Sequence, residues 1–151
     1  MKDFNSMDDI LDFAINAEQE AVDFYNQLAE KSTTEDMRTV FTSFAQEEIN
    51  HKARLTTIKK EGVFQIDSEK IADLKIADYT VNVKPTPEMS YQDALVLAMN
   101  KEKAAFKLYS VLANRADTDE MKSIFISLAQ EESKHKLRFE IEYDEFVLRE
   151  N

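Results

Sequence analysis

The sequence predicts an all-α protein, a four-helix bundle made of two antiparallel helical hairpins joined by a long crossover. Glycine occurs once and proline twice among 151 residues, and most of the other residues favour helices. Residues 6–54 recur as residues 90–138 at a constant offset of 84, with 21 of 49 positions identical. This internal repeat predicts two hairpins related by a pseudo-twofold axis. At this length we expect a single domain spanning residues 1–151.

The first hairpin has recognisable start and stop signals. Ser6 is placed to cap the first helix, which is expected to end near Lys31. Thr33 or Thr34 caps the second helix. That helix should stop at Gly62, the only glycine and a natural residue for the position after a helix. Apolar residues at i, i+3 and i+4 spacing connect these signals and predict two amphipathic helices.

The second hairpin repeats the pattern, with Ser90 as the cap of the third helix and a fourth helix running to about Leu148. Residues 63–89 form the linker, which is expected to contain a short helix from Ser68 to about Asp78. A helix of about 26 residues is about 39 Å long. The linker is long enough to span that distance and to return the chain to the opposite end of the bundle.

The apolar stripes also predict which side chains are buried. Ile49 in the second helix and Phe106 in the third are both assigned to the buried faces. The recurring phenylalanines and methionines are interpreted as core residues rather than as cofactor contacts.

Composition excludes several classes of function. The chain has no cysteine, so a metal would have to be held by carboxylates and imidazoles. A formal charge of −11 argues against nucleic acid or an anionic membrane as a partner. No apolar run reaches the roughly 20 residues of a membrane span, and residues 1–12 do not resemble a signal peptide. We therefore expect a cytoplasmic protein.

The strictest feature of the repeat is a set of residues whose types bind metals. A Glu-x-x-His pair lies on one helical face, so both side chains can reach the same ion. In each hairpin, a lone glutamate in the first helix and the Glu-x-x-His pair in the second lie at similar numbers of residues from the turn. They should therefore lie at the same level of the bundle. The two triplets are Glu18, Glu48 and His51 in the first half and Glu102, Glu132 and His135 in the second.

The ligand count suits two metal ions. Four carboxylates compensate two divalent irons, and the neutral imidazoles add no charge. Oxygen-rich ligation with one imidazole per metal favours iron, manganese or a mixed pair over structural zinc. A single Glu-x-x-His on a charged helix is usually solvated surface. Here the motif is doubled and includes the only two histidines, which favours the metal interpretation.

Several neighbours of these residues are assigned other roles. Glu47 and Glu131 recur but lie one residue off the ligand face, so they are interpreted as solvated surface. Glu20 lies off that face as well and is not counted as a ligand. Tyr25 and Tyr109 fall two turns beyond the lone glutamates, where each phenol could hydrogen-bond a ligand carboxylate. Plain core packing is the alternative for both tyrosines.

The motif spacing resembles the ferritin-like di-iron carboxylate proteins, and most closely the rubrerythrin branch. Residues 24–29 and 41–48 carry further similarity, which extends over nearly the whole chain. The resemblance implies terminal carboxylates at Glu18 and Glu102, bridging carboxylates at Glu48 and Glu132, and one imidazole per iron at His51 and His135.

The resemblance also implies a reaction. We expect a di-iron oxidoreductase that reduces hydrogen peroxide or dioxygen for oxidative-stress protection, with catalysis carried by the six ligands through the metals. Rubrerythrins usually have a four-cysteine rubredoxin-like site, which this chain lacks, so the donor would be external, such as a rubredoxin-like protein. Many also have a further carboxylate where this chain has Ala105, the repeat mate of Ala21.

Two other functions remain open from the sequence. The protein could be a ferroxidase or an iron-binding or storage protein, in which ferrous ion is the substrate. It could also be a metal-free helical interaction module. Related bundles commonly dimerise through the flank of the first hairpin, and a homodimer is expected here.

Overall fold

Four long helices account for most of the chain. The computed structural model describes residues 4–62, 64, 71 and 74–150. The helices are α1 (Met7–Lys31), α2 (Glu35–Glu61), α3 (Tyr91–Arg115) and α4 (Asp119–Glu150). This architecture confirms the predicted all-α fold of two hairpins, α1–α2 and α3–α4. None of the described helices is both long enough and apolar enough to cross a membrane.

The predicted helix ends are largely those of the structure. The hydroxyls of Ser6 and Ser90 each accept a hydrogen bond of 3.1 Å from the backbone N–H three residues further on. Thr34, rather than Thr33, caps α2 in the same way at 3.2 Å. Gly62 ends α2 with φ 65° and ψ 24°, a left-handed conformation that suits a residue without a Cβ.

The described linker residues pack against the bundle, with Phe64 and Tyr79 in one apolar cluster and Val81 and Met89 against the other. Five of the eleven residues of the short helix expected over Ser68–Asp78 lie outside the described residues, which omit 65–70 and 72–73. In the described part, Ile76–Tyr79 form one turn of 3₁₀ helix. Leu74 and Tyr79 are buried against the core, so the linker contributes to packing and does not merely connect the hairpins.

The core consists of two apolar clusters separated by a polar layer. One cluster contains the start of α1, the end of α2, the end of α3 and the start of α4, with Leu55 and Phe125 fully buried. The other contains the opposite ends of α1, α2 and α3 together with Phe139 of α4. This distribution places the start of α1 beside the end of α3, so the linker must traverse the bundle. Each fully buried Leu or Phe contributes about 1.5–3 kcal/mol to folding.

Two of the expected core residues are in fact exposed. Ile49 and Phe106 retain 43% and 41% of their accessible surface, so their assignment to the buried faces is wrong. Ile49 follows Glu48, which points into the bundle, and successive residues are about 100° apart around a helix. Phe106 lies just past the edge of the arc that buries Glu102 and Tyr109. Helical periodicity predicts where the centre of an apolar face lies, but it does not predict how wide the buried part of that face is.

Candidate metal centre

All six residues predicted to bind metal lie in the polar layer between the two apolar clusters. None exposes more than 2% of its surface. Each hairpin contributes a lone glutamate from its first helix and a Glu-x-x-His pair from its second helix. The six are Glu18 and Glu48 with His51, and Glu102 and Glu132 with His135.

The six side chains form two groups of potential ligands. One group consists of Glu18, Glu48, His51 and Glu132, and the other of Glu48, Glu102, Glu132 and His135. Within each group, one nitrogen or oxygen atom per residue lies within 4.8 Å of the others. Glu48 and Glu132 belong to both groups. These two carboxylates are therefore the pair positioned to bridge two ions.

The same ring nitrogen of each imidazole faces the carboxylates. His51 Nδ1 lies 3.0 Å from Glu132 Oε1 and 3.4 Å from Glu18 Oε2. His135 Nδ1 lies 3.1 Å from Glu48 Oε1. This contact is the repeat equivalent of the contact between His51 and Glu132. Each imidazole thus approaches one shared carboxylate of the opposite hairpin as well as the two carboxylates of its own.

Seven atoms of the cluster lack a hydrogen-bond partner. Buried polar groups without a partner are costly, and native proteins rarely leave them so. A cation bound among them would satisfy these atoms, so the donor set fits a metal pair. Among the described residues, the buried side-chain atoms without a partner are all in these six residues: Glu18 Oε2, both Glu48 oxygens, His51 Nδ1, Glu102 Oε2, Glu132 Oε1 and His135 Nδ1.

Burial and mutual repulsion favour the protonated form of several cluster residues when no cation is bound. Burial raises the pKa of Glu48 and Glu132 well above the usual value, and neighbouring carboxylates raise it further. Burial acts in the same direction on Glu18, but its interactions with His51, Glu48 and Tyr109 together outweigh burial and lower its pKa. Burial disfavours protonated His135, yet contacts with two carboxylates raise its pKa to about 10. Bound metal would replace these protons.

We therefore expect the metal-free protein to lose stability as pH rises. The pKa of Glu48 and Glu132 is higher in the folded chain than the ordinary 4.5, and that of His135 is higher than 6.5. Groups of this kind contribute stability below the unfolded pKa and lose that contribution as pH rises through the folded value. The melting temperature of chelated protein should fall between pH 5 and pH 9. A constant or rising value would contradict the shifts.

Two tyrosines connect the hairpins across the site. The Tyr109 hydroxyl donates to Glu18 Oε1 at 2.7 Å, and the Tyr25 hydroxyl donates to Glu102 Oε1. Burial raises the pKa of both phenols, and the nearby carboxylates raise it further, so both remain proton donors. Of the two interpretations left open by the sequence, the structure shows the hydrogen bond to a cluster carboxylate.

Glu47 and Glu131, interpreted from the sequence as solvated surface, are partly exposed and also contact the imidazoles. Rather than being simply solvated, Glu131 Oε2 lies 3.0 Å from His51 Nε2, and Glu47 Oε2 lies 3.2 Å from His135 Nε2. A hydrogen bond from Nε2–H to this carboxylate would leave the Nδ1 lone pair of the neutral imidazole free for a metal. The conservation of both glutamates within the repeat was a signal for such a role. Because they lie one residue off the face of their own helix that carries the ligands, the sequence did not reveal that each contacts an imidazole of the other hairpin.

Replacing Glu131 with glutamine should weaken iron binding about tenfold, because the amide supports the required His51 tautomer less well. The dissociation constant can be measured by competition with a chromophoric chelator. Glu30→Gln is the matched control, since that side chain is exposed and lies near the end of α1, twelve residues beyond Glu18. An unchanged constant for Glu131→Gln would show that this carboxylate does not support the imidazole.

A cavity of about 510 Å³ leads to the carboxylates between α1 and α3. Small side chains leave this space open, among them Ala105, where the resemblance suggested a further carboxylate, and its repeat mate Ala21. Linker residues 79–81 and 83–85 line its outer side, and Lys101 lies at its wall. The cavity is large enough for a small molecule to reach the cluster.

A helical bundle that buries two groups of carboxylates and imidazoles in this arrangement defines a ferritin-like di-iron carboxylate protein. Comparison with known families agrees. The chain belongs to the rubrerythrin family, whose sequence model matches residues 9–143. No match to a curated protein is found.

Two solved structures share the fold. One is a Thermotoga maritima protein provisionally assigned as a ferritin-like diiron-carboxylate protein, with 18% identity and a TM-score of 0.75. That alignment covers 96% of this chain and 99% of the other. The second is a hypothetical protein from Pyrococcus furiosus, with 25% identity, a TM-score of 0.69, and coverage of 89% and 86%.

Proposed function

We propose that this protein is a di-iron oxidoreductase that reduces hydrogen peroxide with electrons from an external donor. Each turnover would convert one hydrogen peroxide, two protons and two electrons into two water molecules. The observation that carries the proposal is the pair of buried ligand groups that share two carboxylates beside an open cavity. Dioxygen is the alternative oxidant for the same site.

The residues that would hold the metals follow from the two groups. Glu18 and His51 would serve one iron, Glu102 and His135 the other, and the shared pair Glu48 and Glu132 would serve both. When bound, two irons supply one electron each and act as Lewis acids towards the oxidant. Manganese, or a mixed pair, satisfies the same oxygen-rich donor set.

The protein itself supplies orientation and controlled access. Tyr25 and Tyr109 hold the terminal carboxylates through hydrogen bonds and keep their own protons beside the site. Phe139 and Phe125, each fully buried, belong to the apolar clusters on either side of the polar layer and restrict water there. The alanine-lined cavity offers a path for a small oxidant.

The electrons must come from outside the ligand set. The chain has no cysteine, so it contains no four-cysteine iron site of the rubredoxin type. We propose a separate rubredoxin-like protein, or a small reductant, as the donor. Either donor would restore the ferrous pair after each turnover.

Anaerobic stopped-flow spectroscopy of ferrous-loaded protein tests this proposal. One equivalent of peroxide should oxidise two irons per chain, faster than dioxygen at the same concentration does. Reduced donor should then return the starting spectrum, and the cycle should repeat without loss of bound iron. Absence of peroxide-dependent oxidation in protein shown to contain two irons would refute the assigned reaction.

Ferroxidase activity is the second candidate, and the carboxylates of Glu20 and Asp23 in the cavity wall favour it. They could attract ferrous ions towards the cluster, with iron as substrate rather than as resident cofactor. In that case oxidised iron would leave the site, and added ferrous ion would be consumed beyond two per chain. Size-exclusion chromatography with iron detection distinguishes the two, because storage requires a species much larger than a dimer.

A further inference from the structure

A chain of aromatic rings leads from the metal centre to one end of the bundle. Tyr25, which donates a hydrogen bond to Glu102, packs against Phe139 with ring centres 5.2 Å apart. The Phe139 ring lies 5.7 Å from that of Phe41, which lies 6.2 Å from that of Tyr91. Each distance is within the range of packed aromatic pairs. The four rings therefore form a continuous aromatic path between two phenols.

A second branch joins the aromatic path from an imidazole. Phe44 stacks on His135 with ring centres 4.0 Å apart, and the Phe44 ring lies 5.4 Å from that of Phe139. Phe139 is fully buried, and Phe44 is partly buried. The metal centre therefore meets the path at two points, a phenol hydrogen-bonded to one ligand residue and a ring stacked on another.

The far end of the aromatic path is a buried phenol paired with a buried carboxylate. The Tyr91 hydroxyl donates to Glu142 Oε2 at 2.7 Å, and Glu142 exposes only 1% of its surface. Arg149 Nη2 lies 3.4 Å from the same oxygen and supplies a positive charge. None of these three residues belongs to a ligand group or lines the cavity that leads to the carboxylates. The proposed function therefore gives them no role.

The pair of Tyr91 and Glu142 has the arrangement that one-electron oxidation of a phenol requires. Burial and the hydrogen bond to Glu142 raise the pKa of Tyr91, so the phenol keeps its proton at rest. A phenol that loses an electron becomes strongly acidic, and its proton must then pass to a base at hydrogen-bond distance. Glu142 is positioned to accept that proton, and the rings offer a route for the electron.

We propose that Tyr91 is a redox site that gives one electron to the metal centre when hydrogen peroxide meets a half-reduced iron pair. The proposal rests on the proposed function, since peroxide is the oxidant. Peroxide accepts two electrons, and two protons from solvent, to form two water molecules. One electron comes from the single ferrous ion and the other from Tyr91 along the rings. The other products are two ferric ions, a neutral Tyr91 radical and protonated Glu142.

This electron from Tyr91 completes a reaction that would otherwise release a damaging product. One-electron reduction of peroxide yields hydroxide and a hydroxyl radical, whereas two-electron reduction yields water. Phe146 is partly exposed and packs against Tyr91 with ring centres 5.0 Å apart, so the path extends to the surface. An electron from the external donor, together with the proton held by Glu142, then restores the phenol.

The duplication supplies an internal comparison, because the path is complete in only one half of the described bundle. In the other half, Tyr109 packs against Phe125 at 6.2 Å, and Phe125 packs against Phe64 at 4.8 Å. At the offset of 84 residues, apolar residues without rings replace three members of the path: Met7, Leu55 and Ile58 stand for Tyr91, Phe139 and Glu142. All three replacements are buried. The packing of a hairpin therefore does not require a phenol and carboxylate at these positions.

Freeze-quench electron paramagnetic resonance of the full chain, loaded with two irons and given one reducing equivalent per pair, tests the proposal. One equivalent of hydrogen peroxide should produce a tyrosyl radical as the optical spectrum records iron oxidation. The fully ferrous protein, which supplies both electrons from iron, should give no radical. Tyr91→Phe should lose the signal. Tyr143→Phe removes a neighbouring phenol that is outside the path, and it should keep the signal.

The two readouts separate failure of this proposal from failure of the proposed function. If peroxide oxidises the iron but no tyrosyl radical forms, or if Tyr91→Phe keeps the full signal, the role of Tyr91 is wrong and peroxide reduction stands. If peroxide does not oxidise the iron, both proposals are refuted. Iron content and circular dichroism should be the same for both variants and the wild type.

Two further variants test the electron route and the proton acceptor separately. Phe139→Leu introduces the residue that the other half has at this position, and it should slow radical formation several-fold because the route loses a ring. Glu142→Gln keeps the shape but removes the base, and it should slow radical formation about a hundredfold. A wild-type rate in Phe139→Leu would overturn the route through the rings. A wild-type rate in Glu142→Gln would overturn the role of this carboxylate.

Discussion

Replacing Glu48 with glutamine is expected to abolish binding of both metal ions. Glu48 belongs to both ligand groups, so one neutral amide removes a shared charged ligand from each. Glutamine is nearly isosteric with glutamate, so it fits the same fully buried space, and the helix should be retained. Iron content per chain, measured by elemental analysis after anaerobic loading, should fall from two to near zero.

Two companion variants make this result specific. Glu18 belongs to one group only, so Glu18→Gln should retain about one iron per chain. Glu20→Gln alters a carboxylate outside both groups and should retain two. Equal losses from Glu48→Gln and Glu18→Gln would show that Glu48 is not shared between two ions.

Removing the metals should lower the melting temperature by about 10 °C. The buried carboxylates repel one another, and bound cations stabilise the folded state by mass action. Differential scanning calorimetry of iron-loaded and chelated protein measures the difference. Chelated protein that melts at the same temperature as loaded protein would favour a metal-free helical interaction module.

The double variant Glu48→Gln, Glu132→Gln controls for indirect effects of the chelator. Its metal-free form should melt above metal-free wild type, because two buried acids with raised pKa have been replaced by neutral amides. Chelation should then have no further effect on it. A variant that still responds to the chelator must bind metal elsewhere.

Much of the fold and the metal centre could be predicted from local rules and the repeat. Caps at Ser6 and Ser90 depend only on neighbouring residues, and each hairpin repeats the same signals. The positions of Glu18 and His51 along the bundle axis follow from counting residues from the turn between α1 and α2. Such features require no knowledge of how the hairpins face each other.

The features that the sequence did not reveal depend on contacts between helices. Glu131 meets His51 only because the α2 and α4 faces adjoin, and no count along one helix shows this. The arc of burial that leaves Ile49 exposed is likewise set by the neighbouring helices. Tyr91 contacts the buried Glu142 at 2.7 Å, a link between α3 and α4 that no repeat position signals.

The most direct test of the central claim is anomalous diffraction at the iron absorption edge from crystals of iron-loaded protein. The account predicts two peaks within the polar layer. One should lie against Glu18 and His51, the other against Glu102 and His135, with Glu48 and Glu132 between them. A single peak, or peaks outside these six residues, would contradict it.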